Sequence, residues 1–80
     1  MFDLQSLTED YRKNPNLYDE DIRSETKNLR NCDKQVAEAR ASNDADWARR
    51  CLDDAKKTRR IIEDRMAIMR QAYYKARNEY

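Results

Sequence analysis

The sequence predicts an all-α protein: an antiparallel, coiled-coil-like helical hairpin that a short N-terminal helix turns into a three-helix bundle. Three observations predict it. The 80 residues include no glycine and one proline, the residues that usually punctuate strands and turns. Apolar residues recur at alternating spacings of three and four, which aligns them along one helix face. Only two stretches interrupt that pattern, Asn14-Pro15-Asn16 and Ser42-Asn43-Asp44. A chain this short makes a single domain near the lower limit for a self-sufficient core, so a partner or an oligomer is expected.

The first helix is expected over about residues 3–13. Ser6 and Glu9 have the spacing of a capping box, and Asp3 is the alternative cap. Leu4, Leu7 and Tyr11 share a face. Pro15 forces Asn14 out of the helical region and is itself suited to open the next helix.

The second helix is expected over about residues 16–41. Asp19, Glu20 and Asp21 lie in its first turns, where the helix dipole favours negative charge. Its apolar seam is Ile22, Glu25, Leu29, Cys32, Val36 and Ala39, a heptad pattern with one polar member.

The third helix is expected over about residues 45–78, with Asp44 as its cap and Asp46 in its first turn. At 1.5 Å per residue it is roughly 50 Å long. Its seam is Leu52, Ala55, Arg59, Ile62, Met66, Met69, Tyr73, Ala76 and Tyr80.

A three-residue connection makes helices 2 and 3 antiparallel neighbours, with facing residue numbers summing to roughly 87. Helix 3 then outruns helix 2 beyond about residue 71. Tyr73, Ala76 and Tyr80 lack a partner there, and Phe2, Leu4, Leu7 and Tyr11 of helix 1 are expected to cover them. Helix 3 also carries a second stripe, Ile61, Ile68 and Ala72, about 100° round from the seam and on the side of Trp47. Its apolar arc is about 160° wide, more than a helix with one neighbour needs. Helix 1 is too short to cover Ile61 or Trp47, so another chain, either a copy or a target, is expected there.

Little in the sequence can perform chemistry. There is no histidine, the commonest acid/base and metal ligand near neutral pH. There is no Cys-x-x-Cys spacing, and a chain without glycine has no phosphate-cradling loop. An enzyme, a cofactor, a metal site and a small-molecule substrate are therefore not expected. Asp19-Glu20-Asp21 and Asp53-Asp54 are consecutive residues that point in different directions round a helix, so they do not converge on a cation. Cys32 and Cys51 both face the seam. They read as small buried hydrophobes in preference to a disulfide or redox pair.

The charges, 17 basic and 16 acidic, nearly cancel and give no long-range field. Locally, Lys56-Lys57-Thr58-Arg59-Arg60 is expected to join Lys27, Arg30 and Lys34 in a basic belt able to contact nucleic acid; Lys56, Lys57 and Arg60 are its leading members on helix 3. Asp33, Asp53, Asp54, Glu63 and Asp64 dilute that field, and the favoured reading of the patch is a solvated face laced by pairs such as Asp53–Lys56 and Asp53–Lys57. Glu25 and Arg59 interrupt facing seams. Either they pair and fix register, or Arg59 extends to water. Tyr74, off the seam beside Arg70 and Arg77, has the composition of an interface hot spot.

No run of about 18 apolar residues spans a membrane, and the first residues lack the pattern of a signal peptide. A cytoplasmic location is expected, that of a host cell if the chain is viral. In size, starting methionine and lack of chemistry, though in no specific residue, the chain resembles small stand-alone helical proteins of phages and mobile elements, anti-CRISPR proteins among them. The resemblance implies a stoichiometric blocker of a larger complex. The leading expectation is thus a non-enzymatic protein-binding protein that occludes a partner with Trp47, Ile61, Arg65, Ile68, Arg70, Tyr74 and Arg77. A nucleic-acid accessory protein using the basic belt is second, and a structural homodimer third.

Overall fold

A computed structural model describes residues 2–78. Three helices follow one another: α1 (Leu4–Lys13), α2 (Asn16–Ala41) and α3 (Ala45–Asn78). α2 and α3 form an antiparallel hairpin, and α1 lies at its open end, mainly against α3. The result is a rod 56 × 17 × 17 Å. No helix is long and apolar enough to cross a membrane among the described residues.

The ends of the helices follow from local chemistry. Asp3, in extended conformation, caps α1, its Oδ1 accepting from the Ser6 amide at 2.7 Å. The Ser6–Glu9 capping box is therefore corrected. The helix already runs at Leu4, so Ser6 is the third helical residue and supplies one of the amides that need a cap. That amide hydrogen bond, and a second from the Ser6 hydroxyl to Oδ2, hold the Asp3 carboxyl below its usual pKa. Asn14 is extended (φ −144°, ψ 92°) and Pro15 is already helical (φ −59°, ψ −24°), as the steric clash before a proline dictates. Asn14 Oδ1 accepts from the Asn16 amide at 3.2 Å.

At the hairpin turn, Ser42 is extended and its amide donates to the Ala39 carbonyl. Asp44 Oδ1 caps α3 by accepting from the Trp47 amide at 3.1 Å, and the Asp44 amide donates to Ser42 Oγ. Among the described residues none has positive φ. Each turn breaks its helix at one extended residue, Asn14 or Ser42, and so the chain manages without glycine.

The core divides into two clusters. Cys32, Ile62 and Met66 are buried in the middle of the hairpin, with Ile22 and Leu29 packed on them. At the open end Tyr11, Met69, Ala72 and Ala76 are buried, with Leu4, Leu7, Leu17, Tyr18 and Tyr73 around them. Tyr11 and Ile62 are each 1% exposed, the largest side chains sealed this fully. Phe2, expected in this cluster, is instead exposed; it precedes the Asp3 cap and lies outside the helix that Leu4 begins. Tyr80, assigned to the seam, lies outside the described residues.

The register differs from the simple fold about the turn. Glu25 reaches Arg65, Asp33 reaches Arg59, and Tyr18 stacks on Tyr73. Each α3 partner lies three to five positions further from the turn than facing backbones predict. The cause is side-chain direction. Helical side chains lean toward the N-terminus of their own helix. On α2 that is away from the turn and on α3 toward it, so side chains that meet have Cα atoms displaced in opposite senses. Two corrections follow. Tyr73 does have a partner on α2, and the Glu25–Arg59 pair does not form, because Glu25 is taken by the arginine a turn and a half further along.

Candidate functional site

The structure separates the residues expected to form one docking face. Along α3, Trp47, Ile61 and Ile68 fall within roughly 60° of one another at 100° per residue. Arg70 lies nine residues from Ile61, or about 180° round the helix, and Tyr74 and Arg77 stand near Arg70. The seven expected contacts thus occupy two opposite sides of α3.

On the first side α1 determines what is exposed. Its ten residues cover only the open end of the hairpin. Ala72 beneath it is fully buried and Ile68 half-buried, whereas Ile61 is 56% and Trp47 46% exposed. Between them Asp54 interrupts the stripe, so this is a pair of apolar points about 21 Å apart in a polar surround. Arg65 is held against α2 with its side chain 39% exposed. Its Nη2 donates to Glu25 Oε2 at 3.2 Å, and its buried Nε has no hydrogen-bond partner. Next to it a groove of about 310 Å³ between α2 and α3 is lined by polar side chains, including Asn28, Asn31, Gln35 and Thr58.

The second side is different. A groove of about 540 Å³ runs between α2 and α3. Its floor is Cys32, Val36, Leu52 and Ala55, the exposed Ala37 lies at its edge, and its rim carries three cations, Arg40, Lys56 and Arg59, against one acid, Asp33. Sequence reasoning placed Val36 and Leu52 on the seam but missed the groove. The small residues that form it (Ala37, Ala55, Cys32) are visible in the sequence, but which of them face each other across the hairpin is not, and it is that facing that leaves the gap unfilled. Lys56 and Arg59 also border a second cleft of about 450 Å³ with Lys57, Arg60 and Glu63.

The basic belt forms only in part. Lys56, Lys57, Arg59 and Arg60 cluster, and Arg40 joins them across the groove. Lys27, Arg30 and Lys34 do not. They lie about 140–200° round α2 from Glu25, on its outer surface, and line none of these grooves. The salt-laced reading holds in part: Asp33 and Glu63 pair with Arg59, whereas Asp53 pairs with neither Lys56 nor Lys57 among the described residues. Among the described residues Lys56, Lys57 and Arg60 make no ion pair; Arg59 alone is neutralised, by Asp33 and by Glu63 at 3.1 Å. The Asp33 hydrogen bond, then the Glu63 one, hold the Arg59 guanidinium above its usual pKa.

At the open end the tyrosines form a connected series. The Tyr11 hydroxyl donates to Asp21 Oδ2 at 2.8 Å. Tyr11 and Tyr18 meet edge to face, and Tyr18 stacks on Tyr73 with centroids 4.2 Å apart. Arg77 lies over the Tyr73 ring at 5.6 Å, which gives this arginine a structural contact. Tyr74, by contrast, is 68% exposed. Cys32 is buried and Cys51 half-buried, both as free thiols. Among the described residues no three histidines, cysteines or carboxylates gather as a metal site would require.

The fold defines a small helical hairpin with two separate surfaces. Compared with protein-family models, with curated proteins and with solved structures, the chain matches none.

Proposed function

We propose that the chain is a protein-binding protein whose mechanism is occlusion: the rigid hairpin docks on a larger partner and covers its surface, with no bond made or broken. The observation that carries this reading is the exposure of Trp47 and Ile61 on the stretch of α3 that α1 leaves uncovered. An 80-residue chain has few large apolar side chains with which to build a core. Trp47 and Ile61 stand in solvent on this one face, and aromatic anchors such as Trp47 dominate the energetics of protein interfaces. Arg65 and Ile68 frame the site, and their own packing in the hairpin holds them in place.

The test is affinity capture from the native cell with the wild-type chain and with a Trp47→Ala/Ile61→Asp variant. The expected result is a protein retained by the wild type and lost by the variant, with helicity and melting temperature unchanged. Equal capture by both overturns the assignment of this face. Capture of nucleic acid that falls steeply between low and physiological salt instead supports phosphate binding. A wild-type mass of two chains in light scattering, reverting to one in the variant, makes the partner a second copy.

A further inference from the structure

The groove on the opposite side of α3 is independent of that reading, because Leu52 on its floor and Ile61 are nine residues, about 180°, apart. Three features describe what it can hold. Its floor is apolar and open: Cys32 and Ala55 are buried, while Val36 and Leu52 are only half-covered. Its rim is cationic, and of the three cations only Arg59 is satisfied by carboxylates within the chain; Arg40 and Lys56 make no ion pair among the described residues. Its length is that of a short helical segment, since Cys32 to Arg40 spans about 12 Å.

An occupant of this groove therefore needs apolar side chains on one side and carboxylates flanking them. An open groove covers one face of a ligand and leaves the rest in solvent. That suits a helix laid along it better than a small molecule, which sites of this size usually enclose. A nucleic acid would use the cations but has no apolar side chain for the floor. We propose that this groove docks an acidic amphipathic helix of a partner protein, its leucine-like side chains on Val36, Leu52 and Ala55 and its carboxylates on Arg40 and Lys56. Lys57 and Arg60, in the adjoining cleft, extend the positive field that draws such a segment in.

The probe is a synthetic helical peptide of about four turns with leucines at i, i+3, i+4 and i+7 and glutamates elsewhere. The controls are its lysine-for-glutamate counterpart and a single-stranded oligonucleotide. Fluorescence anisotropy should show binding of the acidic peptide alone. Amide shifts should centre on Cys32, Val36, Leu52 and Ala55. Charge reversal at two exposed positions, Arg40→Glu with Lys56→Glu, should weaken binding about tenfold without loss of helicity. Trp47→Ala/Ile61→Asp should leave it unchanged, so the two surfaces succeed or fail separately. Absence of binding at millimolar peptide, equal binding of the basic counterpart, tighter binding of the oligonucleotide, or shifts centred on Ile61 would each overturn the proposal.

Discussion

Arg65 of α3 reaches across the hairpin to Glu25 of α2, Nη2 to Oε2 at 3.2 Å, and the two partners are unequally buried: the Glu25 side chain is 12% exposed and that of Arg65 39%. The inequality sets the effect of removing each. Arg65→Leu strands a carboxylate with little water around it and is expected to cost about 2–3 kcal/mol. Glu25→Leu leaves an arginine that can swing outward and should cost about 1 kcal/mol or less. The double replacement should recover most of the loss, because two leucines suit this seam. Urea denaturation of the four proteins decides it, and equal single-mutant effects would contradict the account.

The sequence carried the helices and the seams because both are local. Residues spaced three and four apart must share a face, and Asn14-Pro15 and Ser42-Asn43-Asp44 cannot continue a helix. The identity of the touching pairs is not local. Glu25 meets Arg65 and not Arg59 because side chains lean along their helices, an effect that spacing alone does not display. Phe2 shows a similar limit: its hydrophobicity placed it in the core, and the cap at Asp3 kept it out. The candidate site divided for the same kind of reason. Trp47 was placed by its angle and Tyr74 by its composition, and at 100° per residue the 27 positions between them put the two on opposite sides of one helix. The groove beside Leu52 depends on which small residues face each other, and that requires the register.

Adjacent isoleucines offer a direct check of the face assignment. Ile62 is 1% exposed and Ile61 56%. Ile62→Ala removes buried methyl groups and leaves a cavity, with an expected loss of about 2–4 kcal/mol. Ile61→Ala should change stability by less than about 0.5 kcal/mol. Thermal melts of the two variants read the difference. A large loss at Ile61 would mean that it is covered in solution, by a second copy if the effect depends on protein concentration.

Tyr11 ties α1 to α2 and gives the fold an alkaline limit. Burial, then the hydrogen bond to Asp21 and the charge of that carboxylate, push the Tyr11 hydroxyl well above its usual pKa of 10.0. A pKa raised on folding means that the folded state holds the proton more tightly. Its contribution is complete below about pH 10 and is lost as pH rises beyond that value. Stability should therefore fall above pH 10. Tyr11→Phe should remove that part of the slope and cost about 1 kcal/mol near neutral pH through the lost hydrogen bond. Denaturation curves at pH 7 and pH 10.5 for both proteins provide the comparison; parallel losses would show that Tyr11 does not set the limit.

The two thiols should report the opening of the hairpin. Cys32 lies beneath the groove at 5% exposure, between Ile62 and Met66, whereas Cys51 is only half-buried. A charged thiol reagent acts on the exposed thiolate, so Cys51 should react from the native state. Cys32, only 5% exposed on the floor of the groove, should react far more slowly and mainly when α2 and α3 separate. The Cys51→Ser variant isolates the second rate. That rate is expected to rise with urea in parallel with global unfolding and to increase when Ile62→Ala loosens the packing over the sulfur. If Cys32 instead reacts as fast as Cys51 without denaturant, the middle of the hairpin opens locally, and neither the seam nor the groove formed over it persists as a fixed surface.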